Sequence, residues 1–302
     1  MFSLKPPIAW AGKGDLVEEW TDSHFFRPLG YLIAKAAEPT RLSPDHITVV
    51  CLATGLAAGW LFFFTNPWLN LAAFGLFILS DILDSADGQL ARLRGTSSRF
   101  GRILDGVSDN LRFINLYLCL LVRLRVGGWG WAALGLATTA GVCHWLQSAS
   151  VDFIRQTFLE LGEDHRGELD LVEDVTPVPG APWWRRLGLG FYQDYVRNQG
   201  RLFPWTVALV RQARGHELSD ENRAAYVNAQ SGVVKHCAWI GQNIRFVVVG
   251  LGGILGWPSA YFWVTVVPFT MIWFVLRSTQ ERHAARLAAR FPAEVSEQIR
   301  VA

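Results

Sequence analysis

The sequence predicts an all-α integral membrane protein with six transmembrane helices and an N-terminal juxtamembrane amphipathic helix. Two features support this fold class. Of the 302 residues, 51% are hydrophobic and only 18% are charged, and long uncharged runs separate the charged positions. The 28 Lys and Arg nearly balance the 26 Asp and Glu, which excludes the basic excess of a nucleic-acid-binding protein. The four Cys have no metal-ligand spacing, so we expect neither a disulfide framework nor a zinc site.

The N-terminal segment, residues 1–45, is expected to lie on the cytoplasmic side. Residues 13–45 are amphipathic, with Trp20, Phe25 and Leu29 spaced among charged residues. This pattern is typical of a helix that lies in the membrane interface before the first span. The first fifteen residues contain Pro, Gly and Lys, and no signal peptide is expected because the continuous apolar stretch is missing.

Four spans are predicted in the first half of the chain. The uncharged run from Ile47 to Ser80 is broken at Thr65-Asn66-Pro67, which indicates a helical hairpin whose second arm continues to about Arg92. Residues 110–122 and 126–151 form a second apolar pair. We interpret them as spans three and four.

Spans five and six come from the uncharged run 246–276, which is broken at Gly256-Trp257-Pro258. The first arm has to begin near Val233 to reach spanning length. Basic residues between spans two and three and after span six predict that both termini, and the loop between spans two and three, lie on the cytoplasmic side. These residues are Arg92, Arg94, Arg99, Arg102, Arg277, Arg282, Arg286 and Arg290. Arg123 and Arg125 lie on the opposite side and depart from this bias.

The predicted domains are a six-helix membrane catalytic domain, residues 46–285, and a cytoplasmic tail, residues 286–302. The catalytic domain contains a cytoplasmic or interfacial insertion, residues 152–226, between spans four and five. The insertion has an acidic stretch, a Pro-rich turn and an aromatic, basic segment. Such a segment is typical of a surface helix at headgroup level. It either anchors the protein at the interface or covers a lipid site.

Four acidic residues that could bind a metal ion or transfer a proton lie at the end of span two and the start of span three. On a helix, Asp84, Asp87, Gly88 and Ala91 share one face, and so do Asp105 and Asp109. The short basic loop brings the two helices back antiparallel, so the four carboxylates come to one depth. Without cations they would repel one another. An all-oxygen donor set selects a hard divalent ion, Mg²⁺ or Mn²⁺.

Glycines and one arginine accompany the acids. Gly88 and Gly101 have no side chain, so a bulky ligand can approach the backbone. Arg92 supplies a permanent positive charge suited to a phosphate. Asp81, one turn before Asp84, lies outside this pattern, and a supporting or solvated role is favoured over metal ligation.

The pattern D-x2-D-G-x2-A-R-x8-G-x3-D-x3-D, complete in residues 84–109, resembles the signature of the CDP-alcohol phosphotransferase (CDP-alcohol phosphatidyltransferase) family. Members of this family are six-helix membrane enzymes of phospholipid synthesis. The resemblance covers roughly residues 15–150 and 230–285. It does not explain the insertion.

The resemblance implies a role for each signature residue. Two divalent ions, Mg²⁺ or Mn²⁺, are held by Asp84, Asp87, Asp105 and Asp109. The CDP part of the donor is bound by Gly88, Ala91, Arg92 and Gly101. Asp109 is the catalytic general base. The resemblance also implies a homodimer.

Polar residues in span five indicate where an acceptor binds. Lys235, Gln242 and Arg245 fall within about 80° of one another on an ideal helix. Together with Arg112 they would hold the phosphate of an acceptor. The alternative is that Lys235 extends to the interface and Arg245 pairs with a carboxylate.

The favoured function is displacement of CMP from a CDP-linked lipid, with CDP-diacylglycerol as donor, by the hydroxyl of a small alcohol, plain or phosphorylated. One alternative is transfer from CDP-choline or CDP-ethanolamine to diacylglycerol, which Gly95-Thr96-Ser97-Ser98 mildly favours. Another is a divalent-cation transporter, which is disfavoured because the acids lie at a helix boundary and not at the midplane. Membrane lipids are expected partners and nucleic acid is not. The expected location is the inner membrane if the source is bacterial.

Overall fold

The structure is a computed structural model that describes residues 17, 19–96, 99–162, 169–176, 180, 182–215 and 218–289. It does not describe the side chains of residues 99–105, 184, 185 and 187. Within these ranges the chain forms α-helices and no strand. The helices are α1 Arg27–Ala37, α2 Pro44–Leu61, α3 Pro67–Leu93, α4 Arg99–Leu124, α5 Gly130–Gly162, α6 Trp183–Leu202, α7 Pro204–Gly215, α8 Asp220–His236, α9 Gln242–Ile254, α10 Ser259–Val266 and α11 Pro268–Ala288.

Three helical segments of the described chain are long and apolar enough to cross a membrane. They are Pro67–Leu93, Asp220–Ile254 and Ser259–Ala288. These segments correspond to predicted spans two, five and six. The chain therefore has the character of a membrane protein, while the six-span count and the interfacial N-terminal helix stay predictions.

The helices divide into two compact units. The first contains the described residues up to His144 together with Gln242–Pro268, and the second contains Trp145–Gly241 and the described residues from Phe269 onward. The predicted boundaries of the insertion at 152 and 226 were drawn from composition. That division stays a prediction.

Local capping explains where α2 and α3 begin. Ser43 precedes Pro44 and accepts a hydrogen bond from the His46 amide at 3.3 Å, while Asn66 precedes Pro67 and accepts from the Trp68 amide at 2.8 Å. In each case a side-chain oxygen satisfies an amide at the helix N-terminus, and proline fits the first helical position. The turn predicted at Thr65-Asn66-Pro67 thus lies between α2 and α3.

Arg123 is used inside the first unit to close this turn. It is 7% exposed and donates to the Phe62 carbonyl at 2.9 Å and to Asn70 Oδ1 at 3.1 Å. Asn70 in turn donates to the carbonyls of Phe64 and Asn66. The last carbonyls of a helix need such donors. Its contacts give Arg123 a packing role, which accounts for a charge that departs from the loop-charge pattern.

An aromatic core holds α2, α3, α4 and α9 together in the first unit. The ring centroids of Phe77 and Phe246 are 4.8 Å apart, and those of Phe113 and Phe246 are 5.7 Å apart. A Cβ on Gly253 of α9 would lie 2.7 Å from the Phe62 ring. Glycine there permits the close helix approach that is typical of membrane proteins.

Ion pairs organise the second unit. Arg214 donates to Glu160 Oε1 and to Asp174 Oδ2, each at 2.6 Å, and Arg211 donates to both carboxylate oxygens of Glu173 at 2.8 and 3.1 Å. Acids of the predicted acidic stretch are thus paired with basic residues that follow it. Glu163, Asp164 and Glu168 of that stretch lie outside the described residues.

These pairs shift the pKa values of the second unit's charged groups. The hydrogen bond from Arg211 lowers the pKa of Glu173 from its ordinary value of 4.5. At Asp174, burial alone would raise the pKa, but hydrogen bonds from the Leu171 amide and from Arg214 outweigh burial, so the pKa is lowered. Both carboxylates are therefore stabilised in their charged forms.

Candidate active site

The signature acids lie on facing helices of the first unit. Asp84, Asp87, Gly88 and Ala91 all belong to the continuous helix α3, so they share one face as the spacing predicts. Asp109 lies on α4. Asp87 is 7% exposed, whereas the side chains of Asp84 and Asp109 are 29% and 33% exposed. The last two therefore remain accessible to a ligand.

Arg112 connects the two helices by binding acids from both of them. Its Nη2 donates to Asp84 Oδ1 at 3.1 Å and also contacts Asp109 Oδ1 closely. Its Nη1 donates to Ser80 Oγ at 2.7 Å and to Asp81 Oδ1 at 3.4 Å. The residue is 1% exposed. A buried guanidinium needs this number of acceptors to compensate for its desolvation.

Gly55 on α2 makes room for Arg112. A Cβ at position 55 would overlap the Arg112 Cδ and Cγ atoms and would lie 3.0 Å from Ser80 Oγ. Any larger residue would push the guanidinium away from the carboxylates. The absence of a side chain at Gly55 is thus a requirement of the site, although the residue lies outside the signature.

Two further contacts involve Thr48 and Asp81, which the site prediction did not include. Thr48 Oγ1 donates to Asp87 Oδ2 at 2.5 Å, and Gln242 Nε2 donates to Asp81 Oδ1 at 2.7 Å. Asp81 is 8% exposed, so of the two roles considered for it, the solvated one is wrong. Thr48 lies one turn into α2, and only the packing of α2 on α3 reveals its partner.

The predicted donor-binding residues lie on two helices, with Gly88, Ala91 and Arg92 on α3 and Gly101 on α4. A Cβ on Gly88 would meet only the Arg92 guanidinium, with Nη1 at 3.5 Å, and Gly88 is half-buried. Ala91 is half-buried and Arg92 is exposed. The backbone of Gly101 and Asp105 is helical within α4, but their side-chain positions lie outside the described residues.

The predicted acceptor residues do not share one helix, and that part of the geometry is wrong. Helix α8 ends at His236, a 3₁₀ turn covers Cys237–Ile240, and Gly241 is extended before α9 begins. Lys235 is exposed on α8 of the second unit, whereas Gln242 and Arg245 lie on α9 of the first. The predicted common face assumed an uninterrupted helix.

Arg245 is enclosed by aromatic groups. It is 1% exposed and interacts electrostatically with Tyr117, Tyr261 and His144. Gln242 donates a hydrogen bond to Asp81. Arg112 contacts Asp81, Asp84 and Asp109. The predicted acceptor set is thus dispersed over three environments.

The ligand atoms of the signature acids suit a hard divalent ion, because Asp84, Asp87 and Asp109 offer oxygen only. Among the side chains that the structure describes, no three His, Cys, Asp or Glu are grouped closely enough to hold an ion. Arg112 contacts oxygens of Asp84 and Asp109. The residues therefore fit a divalent ion in donor type, and metal binding is a proposal.

Comparison with known proteins identifies the segment that carries these acids. The family model for CDP-alcohol phosphatidyltransferase matches residues 41–156. This part of the chain is a CDP-alcohol phosphatidyltransferase domain, and the resemblance seen in the signature is confirmed.

Three curated relatives are similar over shorter segments. The CDP-diacylglycerol–glycerol-3-phosphate 3-phosphatidyltransferase of Cereibacter sphaeroides is 43% identical over 68 residues, 22% of this chain and 30% of the relative. The phosphatidylinositol phosphate synthase of Mycolicibacterium smegmatis is 36% identical over 80 residues, 26% and 35% of the two chains. The CDP-diacylglycerol–serine O-phosphatidyltransferase of Methanocaldococcus jannaschii is 41% identical over 69 residues, 23% and 29%. The chain thus spans about a third of the length of these relatives.

Proposed function

We propose that this protein is a membrane phosphotransferase of phospholipid synthesis. It displaces CMP from a CDP-alcohol, with CDP-diacylglycerol as donor, by the hydroxyl of a small alcohol. The observation that carries the proposal is the complete signature, residues 84–109, inside the matched domain. Two of its acids, Asp84 and Asp109, contact Arg112 from two different helices. The names of the two relatives that state a donor both state CDP-diacylglycerol.

The residues of the site have distinct roles in this reaction. Asp109 accepts the proton of the acceptor hydroxyl, the hydroxyl oxygen forms a bond to the β-phosphorus, and the bond from that phosphorus to the CMP oxygen breaks. Arg92, whose guanidinium lies beside Gly88, binds a donor phosphate. Asp84, Asp87, Asp105 and Asp109 would hold two ions, Mg²⁺ or Mn²⁺, which when bound neutralise diphosphate charge.

The acceptor is proposed to carry a phosphate. Arg245 is a buried cation on α9, the same helix that contributes Gln242 to Asp81. Buried cations bind phosphate strongly because little water competes for them. The name of one relative states glycerol 3-phosphate as acceptor. In this proposal Arg245 binds the acceptor phosphate, while Gln242 and Arg112 stay on the Asp81 carboxylate.

The remaining proposals concern the surroundings of the site. The protein is placed in the membrane with six spans, with its site and both termini on the cytoplasmic side, and as a homodimer. The charge of the loops supports the orientation, and the family resemblance supports the dimer.

The test is CMP release by the purified protein in lipid or detergent. CDP-diacylglycerol and CDP-choline are each paired with a panel of plain and phosphorylated alcohols and with diacylglycerol, with Mg²⁺, Mn²⁺ or chelator. We expect metal-dependent release from CDP-diacylglycerol with one small alcohol. Release from CDP-choline with diacylglycerol would overturn the proposed direction of transfer. Metal flux into vesicles without any CMP release would favour a transporter.

The acceptor site has its own test. Arg245→Ala is expected to raise the KM for the acceptor by about tenfold to a hundredfold, the loss of one charged hydrogen bond of roughly 1.5–3 kcal/mol. The KM for the donor should not change. Trp239→Ala, which truncates an exposed side chain of the second unit, serves as the control. An unchanged acceptor KM in Arg245→Ala would remove Arg245 from the site.

A further inference from the structure

A row of polar contacts outside the signature leads from α9 to the candidate site. Gln242 Nε2 and Arg112 Nη1 both donate to Asp81 Oδ1, at 2.7 and 3.4 Å. Arg112 then donates to Asp84 and Asp109. Asp81 and Arg112 are 8% and 1% exposed. Little water screens these contacts, so charge changes at Asp81 are felt at the site.

Arg112 and a divalent ion would compete for the same oxygens. The guanidinium contacts one oxygen of Asp84 and one of Asp109, and both residues belong to the proposed metal-binding set. Two cations that share a carboxylate repel each other. Arg112 therefore has to release part of its contact with Asp84 and Asp109 when ions bind.

Asp81 and Ser80 hold one side of the Arg112 guanidinium independently of the signature acids. Its Nη1 contacts both of them, while its Nη2 contacts the signature acids. Because a guanidinium has five donors in a fixed plane, it can lose one set of contacts and retain the other. A buried guanidinium without a carboxylate is costly. The Asp81 carboxylate thus lowers the cost of leaving Asp84 and Asp109.

We propose that Arg112 is a tethered counter-cation of the metal site, and that Asp81, oriented by Gln242, is the positioning residue that holds Arg112 when divalent ions bind Asp84 and Asp109. This inference rests on the proposed function, since it assumes that these acids bind metal. Without Asp81, Arg112 stays on the signature acids and the ions bind more weakly.

The test measures Mn²⁺ binding directly, with no substrate present. Purified full-length protein in detergent is titrated with Mn²⁺, and free Mn²⁺ is followed by electron paramagnetic resonance. Asp81→Asn is expected to raise the Kd about tenfold, as is usual when a group supporting a metal ligand is removed. Gln242→Leu should raise the Kd by a smaller factor. Arg112→Gln should lower it, because a competing cation is gone.

The deciding comparison is a double-mutant cycle. Asp81→Asn also removes a negative charge, and this effect alone would weaken Mn²⁺ binding equally with or without Arg112. We expect Asp81→Asn to have little effect in the Arg112→Gln background. An equal effect in both backgrounds would overturn the proposal.

Asp84→Asn separates failure of this inference from failure of the proposed function. Removal of a metal ligand should abolish high-affinity Mn²⁺ binding, and retention of wild-type affinity would contradict the metal site itself, whatever Asp81 does. Circular dichroism and gel filtration check that each variant folds. If Arg112→Gln does not fold, Gln242→Leu decides: a raised Kd supports the tether, and an unchanged Kd overturns it.

Discussion

Two clusters of charged residues in this protein contain the same kind of ion pair, arginine with carboxylate. They differ in the balance between cations and acids. Among the side chains that the structure describes in the first unit, one guanidinium, that of Arg112, contacts three carboxylates, Asp81, Asp84 and Asp109. In the second unit the two guanidinium groups of Arg211 and Arg214 contact three carboxylates, Glu160, Glu173 and Asp174. The first cluster retains more negative charge per cation, and it lies in the matched domain.

The difference in charge balance indicates a difference in purpose. A cluster in which the numbers of cationic and acidic side chains are nearly equal stabilises the fold and has little further affinity for cations. A cluster in which acids outnumber cations is costly in itself and is relieved by a bound cation. We therefore expect substitutions in the first cluster to change metal binding and turnover, and substitutions in the second to change stability alone.

The largest effect is expected for Asp109→Asn. Loss of a general base lowers turnover by about 10²- to 10⁴-fold, while the amide keeps the shape of the side chain. CMP release at saturating substrate and metal is the measurement. Thermal stability should stay close to that of the wild type. Wild-type turnover in well-folded Asp109→Asn protein would show that another group accepts the proton.

Gly55→Ala tests the same cluster through packing. Its Cβ would overlap Arg112, so we expect about 1–3 kcal/mol of destabilisation together with altered Mn²⁺ affinity. Gly75→Ala on α3 is the matched control, because nothing lies within 4 Å of the added Cβ. Thermal unfolding and Mn²⁺ titration of both variants are compared. Equal behaviour of the two alanine variants would mean that the site tolerates displacement of Arg112.

In the second cluster, Arg214→Gln is expected to lower stability by about 1.5–3 kcal/mol, the cost of losing hydrogen bonds to charged groups. Glu160 is the buried partner, with a side chain 5% exposed. Arg197→Gln is the control, since the Arg197–Asp194 pair is exposed at 46% and 66% and contributes less than about 0.5 kcal/mol. Unfolding is followed by circular dichroism. A drop in Mn²⁺ affinity in Arg214→Gln would contradict the expectation that the second cluster affects stability alone.

The smallest effect is a dependence of stability on pH. The pKa of Glu173 lies below its ordinary value of 4.5 in the folded protein because Arg211 donates to it. Its contribution to stability is therefore fully present above about pH 4.5 and is lost as the pH falls through the lower folded value. Glu173→Gln should flatten the loss of thermal stability that sets in as the pH falls below about 4.5. An identical pH profile in the variant would show that the pair does not stabilise the fold.

Much of the site could be predicted from sequence because its spacing is local. Asp84, Asp87, Gly88 and Ala91 lie within two helical turns, so helical periodicity alone places them on one face. The break between α2 and α3 follows from Asn66 and Pro67, which begin a helix by their own chemistry. The family resemblance, confirmed for residues 41–156, rests on the same local pattern.

The rest of the site depends on contacts between distant parts of the chain. Thr48 donates to Asp87, 39 positions away, and Gln242 donates to Asp81, 161 positions away. Neither pair has a signal in local spacing. Gly241 is extended and interrupts the helix that Lys235 and Arg245 were expected to share, and no proline in Cys237–Ile240 marks that break.

The sequence by itself determined that Asp84 and Asp87 share one helix face and which family residues 41–156 match, because helical periodicity and a fixed motif need no knowledge of packing. Only the tertiary structure decided what Arg112 binds. On α4 alone it is a cation one turn beyond Asp109, suited to an acceptor phosphate or to an acid. Packing of α3 and of α4 against α2, with Gly55 of α2 leaving room, places its guanidinium among Asp81, Asp84 and Asp109. A charged side chain takes the partners that its buried surroundings supply, and those come from the whole fold.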